Sequence, residues 1–96
     1  MAGTKETTDA CMVANYSRFP VALVRGQGCR LWDEDGKAYL DMVAGIGVSA
    51  LGHGHPGLAS AISEQASTLL HSSNLYYNEP SARLAQELVA RTFADR

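Results

Sequence analysis

The sequence predicts an α+β fold, in which a small three-stranded antiparallel sheet is followed by two helices. Short β-prone runs separated by glycine-containing turns occupy residues 19–41. Apolar residues at helical spacing follow the proline at position 56, and a second helical series follows the proline at position 80. The residues before position 13 are polar and carry no such pattern. We therefore expect residues 1–12 to form a flexible tail and residues 13–96 to form the folded segment.

The strand predictions depend on the turns between the strands. Residues 21–24 are rich in β-forming side chains and residues 29–32 resume an extended run, so the glycines of residues 26–28 are interpreted as a hairpin turn. Residues 33–37 combine acidic residues with a glycine, which can supply the positive φ of a tight turn. Residues 38–42 are then the third strand of a small sheet.

Two helices are predicted after the sheet. Before them, residues 43–51 are small, and two glycines there let the backbone approach a ligand or another chain closely. The first helix begins near Pro56, whose missing N–H needs no partner in a first turn, and extends to about His71. The second helix has Asn78 as its cap and reaches about Phe93. The inward-facing positions are Leu58, Ile62, Ala66, Leu69, Leu84 and Leu88.

Composition and charge limit the classes of partner. The chain has 96 residues, of which 46% are apolar and 19% charged, with a net charge of −2, and this balance is typical of a soluble globular protein. Its eight lysines and arginines are scattered, so we expect no nucleic-acid partner. A chain this short buries only about two thirds of its unfolded surface. We therefore expect its apolar faces to need a covering partner.

The sequence also predicts a location. No run approaches the roughly 18 apolar residues that a membrane span needs, and the N-terminus does not resemble a secretory signal. The two cysteines are too few for a disulfide scaffold and lack C-x-x-C spacing. We therefore expect no membrane partner and a reducing, cytoplasmic setting.

The stretch LGHGHPGL at residues 51–58 carries two of the three histidines. A metal site would need His71 as a third ligand, but a helix of about 14 residues, roughly 21 Å long, separates it from the others, so no metal site is predicted. The favoured interpretation is that His53 or His55 hydrogen-bonds local backbone and orders the start of the helix. A serine–histidine nucleophile and a dinucleotide site are not predicted, because neither glycine motif is present.

Two short loops hold polar and aromatic groups of the kind that orient small polar ligands. Residues 15–18 read NYSR and residues 74–77 read NLYY, which together supply hydroxyls, amides and a guanidinium. The alternative is that Tyr76 and Tyr77 are partly buried, with their hydroxyls satisfied at an edge. The frequency of such packing favours this alternative, and the residues alone go no further.

A longer resemblance covers residues 13–96. The stretches NYSRFPVALVRGQGCRLWDEDGKAYLDMVAGIGVSALGHGHP and SNLYYNEP together resemble the N-terminal quarter of a class III pyridoxal-phosphate-dependent aminotransferase, most similar to the acetylornithine type. The resemblance implies a fold type I subunit, in which a large α/β domain carries the cofactor and a smaller domain is built from both chain ends. It also implies a homodimer with active sites at the subunit boundary. This chain would supply the small-domain sheet and the helices that lead to the large domain.

The resemblance implies which residues bind substrate. Tyr16 matches a tyrosine that contacts the polar end of the substrate in the family. Ile46 and Gly47 fall where ornithine and diaminopelargonate relatives place large aromatics, so small residues here imply the acetylornithine type, whose substrate carries an acyl group. Asn74 and Tyr77 match a loop that approaches the active site near the dimer boundary.

The activity implied by the resemblance is transfer of the δ-amino group of N-acetylornithine to 2-oxoglutarate, in arginine biosynthesis, with pyridoxal phosphate as electron sink. Ornithine, succinylornithine and 4-aminobutyrate transaminases are alternatives within the family. No catalytic or cofactor-binding residue is predicted in this chain, because Lys5 lies in the polar tail and Lys37 in an exposed turn. We expect the remainder of a longer subunit to supply those groups, and this chain alone to bind no pyridoxal phosphate. The other possibility is a stand-alone interaction module without catalysis.

Overall fold

The computed structural model describes residues 3–95, which divide into two compact units, residues 3–60 and residues 61–95. The elements in chain order are α1 (Thr4–Cys11), β1 (Leu23–Gln27), β2 (Arg30–Asp33), β3 (Ala38–Leu40), α2 (Ala44–Gly47), α3 (Pro56–Thr68) and α4 (Glu79–Arg91). The first unit holds α1, the sheet, α2 and the first turn of α3. The second unit holds the rest of α3, the loop after it and α4. The predicted three-stranded antiparallel sheet followed by helices is confirmed.

The sheet has the order β1-β2-β3, and its first hairpin turns one residue later than the sequence predicted. Gln27 pairs with Arg30, so the turn lies at residues 28–29, not at 26–28. Gly26 belongs to the strand instead. A Cβ atom on Gly26 would stand 2.6 Å from the Cβ and Cγ atoms of His53, so this glycine makes room for a side chain from a distant part of the sequence.

The turn between β2 and β3 is held by one aspartate. The Oδ1 atom of Asp33 accepts the N–H groups of Asp35, at 3.1 Å, and Lys37, at 2.8 Å. Its Oδ2 atom accepts the hydroxyl of Tyr39 at 2.7 Å. The hydrogen bond from Tyr39 holds the pKa of the Asp33 carboxyl below its usual range, and the two backbone N–H groups act in the same direction.

Part of the segment predicted as a flexible tail is helical, a feature that the sequence analysis did not include, and its flexibility stays a prediction. Helix α1 runs from Thr4 to Cys11. An ion pair between Lys5 and Asp9, at 2.7 Å and one helical turn apart, supports it, as does the N–H of Thr4, which bonds the Glu34 carboxylate at 3.3 Å. A polar sequence without an apolar stripe can form such a helix through these pairs. The boundary between residues 12 and 13 stays a prediction, and Met1, Ala2 and Arg96 lie outside the described residues.

Both predicted helices are present with the expected starts. Helix α3 begins at Pro56 and ends at Thr68, and α4 ends at Arg91, each two or three residues before the predicted end. The side chain of Asn78 caps α4 by accepting the N–H of Ser81 at 3.1 Å. No helix among residues 3–95 has the length and apolar character that crossing a bilayer requires.

The described chain has no core of its own. No apolar side chain among residues 3–95 is buried, and large apolar side chains are exposed in both units. The chain exposes 8853 Å² of solvent-accessible surface. This exposure supports the expectation that its apolar faces need a cover.

Candidate functional site

A hydrogen-bonded cluster lies where β3 ends, and Asp41 is at its centre. The Oδ1 atom of Asp41 accepts the N–H groups of Val43, at 3.1 Å, and Ala44, at 2.8 Å. Its Oδ2 atom lies 2.6 Å from the Nε2 atom of His53. The backbone N–H of Asp41 donates to the carbonyl of Cys29 at 2.8 Å. The Asp41 side chain is only 8% exposed, which is low for a chain without a core.

His53 joins this cluster to the hairpin of β1 and β2. Its N–H donates to the carbonyl of Gly28 at 2.8 Å, and the N–H of Gly28 donates back to the His53 carbonyl at 2.9 Å. Its ring packs on the backbone of Gly26, where a Cβ would clash. We call Asp41 and His53 together the Asp41–His53 pair.

Helix α2 is a single turn with an unusual backbone. All four of its residues have positive φ: 51° at Ala44, 62° at Gly45, 64° at Ile46 and 79° at Gly47. A left-handed conformation costs an L-residue with a Cβ atom roughly 1–2 kcal/mol, and a β-branched residue such as Ile46 is rare there. Strained backbone of this kind persists only when its surroundings hold it, and it concentrates at ligand sites.

The second histidine of the quoted stretch orders the start of α3. The Nδ1 atom of His55 accepts the N–H of Leu58 at 3.3 Å, so the predicted role is confirmed for this residue. His53 bonds a carboxylate with its ring and the backbone of Gly28 with its main chain. Within residues 3–95, no group of three or more histidine, cysteine or acidic side chains is placed to hold a metal ion.

Tyr16 lies in a cavity of about 410 Å³ between α1 and residues 16–22. The guanidinium of Arg18 stands 5.6 Å from the centre of the Tyr16 ring, within the range of a cation–π contact. Lys5 and Thr8 line the same cavity. Tyr16 is 73% exposed, and its role as a substrate residue stays a prediction.

In the second unit, Asn74 and Tyr77 have different surroundings. Asn74 lines a groove of about 290 Å³ together with His71, Ser73 and Asn78. Ser73 has a φ of 64° and anchors the turn before Tyr77. The Tyr77 side chain is 107% exposed and contributes nothing to this groove. Each unit thus carries its own share of the predicted substrate residues, with Tyr16, Ile46 and Gly47 in the first.

Sequence reasoning missed Asp41 as a site residue, although part of its signal is local. An aspartate that ends a strand can accept N–H groups two and three residues further on, and Val43 and Ala44 stand at those positions. The bond to His53 joins residues 12 positions apart, and no local pattern shows it.

The residues described here do not fit pyridoxal phosphate, the cofactor that the resemblance implies. The cofactor needs a lysine that can lose its proton to form an imine, whereas the hydrogen bond to Asp9 raises the pKa of Lys5. Lys37 stands 5.1 Å from the Tyr39 ring in the exposed β2–β3 turn. A helix N-terminus could hold the phosphate. However, the helix starts here are already capped by His55 in α3 and Asn78 in α4.

The Asp41 carboxyl should titrate at unusually low pH. The hydrogen bond from His53 lowers its pKa most, and the N–H of Ala44 lowers it further. A lowered pKa in the folded state means that this group stabilises the fold above the usual aspartate pKa of about 3.9, and that the contribution is lost as pH falls through the folded value. Carbon-13 NMR of the labelled carboxyl should give a midpoint below that value. A midpoint at or above it would contradict the geometry.

The family model and the curated relative that match this chain both belong to one enzyme family. The family model described as aminotransferase class-III matches residues 11–96. An acetylornithine aminotransferase from Thermosynechococcus vestitus is 52% identical over 88 residues, which are 92% of this chain and 21% of that protein. This chain therefore spans about a fifth of the length of the curated relative it matches.

Solved structures give the same family. An N-acetylornithine aminotransferase from Stenotrophomonas maltophilia K279a is similar with a TM-score of 0.76 and 44% identity, over 88% of this chain and 22% of that one. An ornithine aminotransferase from Toxoplasma gondii ME49 is similar with a TM-score of 0.78 and 29% identity, over 90% of this chain and 21% of that one. The sheet and helices described above thus recur as a small part of much larger subunits.

Proposed function

Because the chain belongs to the class-III aminotransferase family, we propose that it is the N-terminal part of a subunit that transfers the δ-amino group of N-acetylornithine to 2-oxoglutarate. The observation that carries the choice of amino donor is the 52% identity to an acetylornithine aminotransferase over nearly the whole chain. The small side chains at positions 46 and 47 support it, because they leave room for an acyl group.

The uncovered surface supports the view that this chain works as part of a larger body. Large apolar side chains are exposed in both units, as at a surface that packs on another body. We assign this surface to the remainder of the same subunit and to a second subunit of a homodimer. Class-III aminotransferases use pyridoxal phosphate, and residues of that remainder would hold it. The exposed, unpaired Cys11 and Cys29 suit a cytoplasmic location.

Each predicted substrate residue has a proposed task. The hydroxyl of Tyr16, whose ring lies 5.6 Å from the Arg18 guanidinium, contacts the polar end of the amino donor. Ile46 and Gly47 bound the space for the acyl group, and the exposed Ile46 side chain is available for that contact. Asn74 and Tyr77 reach the active site near the subunit boundary.

Two other functions stay open to test. Similarity to an ornithine aminotransferase at 29% identity favours ornithine as the competing amino donor, and succinylornithine, which also carries an acyl group, and 4-aminobutyrate are the other candidates. A stand-alone interaction module without catalysis would account for the missing lysine. Borohydride reduction of the complete protein distinguishes the interaction module from a transaminase. A transaminase should retain the cofactor on a lysine after reduction, whereas an interaction module should retain none.

Replacing Ile46 by tyrosine should change donor selection in the complete subunit. The wild type is expected to have a higher kcat/KM for N-acetylornithine than for ornithine. Ile46→Tyr should lower kcat/KM for N-acetylornithine by about 10- to 100-fold, because a ring at this position fills the acyl space, while the value for ornithine changes by less than about threefold. Steady-state kinetics with both donors measure this.

Lys37→Tyr is the matched control, since it adds the same ring at an exposed polar position in the β2–β3 turn. It should leave the ratio of the two kcat/KM values unchanged. A wild type that prefers ornithine would overturn the donor assignment. An equal loss for both donors in Ile46→Tyr would remove Ile46 from the acyl end of the pocket.

A further inference from the structure

We propose that the Asp41–His53 pair is a positioning device for donor selection, which fixes the left-handed α2 turn and thereby sets the acyl space at residues 46–47. This inference rests on the proposed function, because it assigns a purpose to the turn within the substrate pocket. Asp41 and His53 both lie in the stretch that carries the family resemblance, but the resemblance assigns a task to neither of them.

The α2 turn needs an external support. Its four residues all have positive φ, and two of them carry a Cβ atom, so the turn is not the backbone's preferred conformation. Its own hydrogen bonds are made by two carbonyls: that of Val43 accepts from Ile46, at 2.9 Å, and Gly47, at 3.1 Å, and that of Ala44 accepts from the N–H groups just after the turn. The exposed side chain of Ile46 contributes no packing within this unit.

Asp41 supplies that support at the start of the turn. Its Oδ1 atom takes the N–H groups of Val43 and Ala44, which fixes the direction in which the chain enters the left-handed region. A carboxylate accepts such bonds more strongly than a neutral group. Because Asp41 is also bonded through its own N–H to Cys29, the support is attached to the sheet.

His53 fixes the orientation of Asp41. Its imidazole Nε2 atom is hydrogen-bonded to the second carboxylate oxygen at 2.6 Å. Its backbone N–H and carbonyl are both hydrogen-bonded to the backbone of Gly28. Glycine at position 26 is what allows the ring to lie there. The carboxylate therefore has one oxygen for the turn and one for the hairpin, and rotation of the Asp41 side chain would break both sets of bonds.

All these contacts are made within the first unit, so the pair acts on substrate through the turn. Both carboxylate oxygens and the Nε2 atom are engaged. Asp41 and His53 are positioning residues, and their loss should alter the shape of the acyl space more than the chemical step. The expected kinetic signature is a change in KM for the acetylated donor with a smaller change in kcat.

The test uses the complete subunit and two independent readouts. Amide hydrogen exchange of a peptide covering residues 43–49 reports the turn without any substrate. The ratio of kcat/KM for N-acetylornithine to that for ornithine reports donor selection. Asp41→Ala and His53→Ala should each raise exchange in this peptide at least tenfold and lower the ratio at least tenfold, mainly through KM.

Asp41→Asn is the conservative variant, because its amide oxygen can still accept the N–H groups of Val43 and Ala44. It should keep exchange within about threefold of the wild type and retain most of the donor ratio. Exchange as fast as in Asp41→Ala would overturn the capping role. If the turn keeps its protection in both alanine variants, the inference falls even where N-acetylornithine is the donor.

Asp33→Ala is the matched control for general destabilisation. Asp33 also gives one oxygen to two backbone N–H groups and the other to a side chain, but it holds the ordinary β2–β3 turn. Asp33→Ala should lower the unfolding temperature and leave the donor ratio unchanged. A loss of the ratio equal to that in Asp41→Ala would overturn positioning. A wild type without transaminase activity would contradict only the proposed function. The hydrogen-exchange measurement would still test whether the Asp41–His53 pair supports the α2 turn.

Discussion

An isolated polypeptide of residues 1–96 is expected to lack a cooperative unfolding transition. None of its described apolar side chains is buried, and large apolar side chains are exposed in both units. Without burial, little offsets the conformational entropy of ordering the chain. The sheet and helices should persist only partly, in a molten or self-associating state.

Calorimetry and dye binding measure this outcome. The isolated chain should show no heat-absorption peak and should bind a hydrophobic dye strongly, whereas the same residues within the complete subunit should unfold with it. Its absorbance should not change on addition of pyridoxal phosphate. A sharp, reversible transition of the isolated chain at micromolar concentration would instead identify a self-sufficient module.

Gly52→Ala should strongly destabilise the first unit. Gly52 has a φ of 78°, and a Cβ atom there would stand 3.0 Å from the Cα atom of Gly28. Both the left-handed conformation and the approach of another backbone oppose the substitution. We expect the complete subunit to lose about 3 kcal/mol or more, because neither backbone can move without breaking the bonds between Gly28 and His53.

Gly36→Ala separates the two causes. Gly36 has a φ of 82°, nearly the same as Gly52, but nothing lies within 4 Å of the added Cβ atom. It should therefore cost only the conformational term of roughly 1–2 kcal/mol. Urea unfolding midpoints of the two variants give the comparison. Equal shifts would show that the contact with Gly28 has no energetic weight.

The parts of the fold that the sequence predicted are those set by neighbours along the chain. The start of α4 was predictable because the cap at Asn78 and the bonded N–H at Ser81 are three residues apart. The start of α3 was predictable for the same reason, through His55 and Leu58. Helix α1 was missed because its support is an ion pair between Lys5 and Asp9, and the prediction relied on apolar spacing.

The parts that were not predictable depend on residues far apart in sequence. The hairpin turn was misplaced because Gly26 looks like a turn residue until His53 is known to pack on it. Asp41 was overlooked for a related reason, since only the fold brings the His53 ring to its second oxygen. The resemblance gave Tyr16 and residues 46–47, but it did not show that the backbone at those two positions is left-handed.

The handedness of the α2 turn restricts which side chains this chain can accept at the proposed donor site. At position 47, φ is 79°, so any side chain that grows beyond glycine there adds roughly 1–2 kcal/mol of torsional strain before it touches a ligand. A lineage that narrows its pocket at this point must therefore also remodel the main chain or gain compensating stability elsewhere. Under the proposed function, the side-chain volume at position 47 and the backbone conformation there must change together.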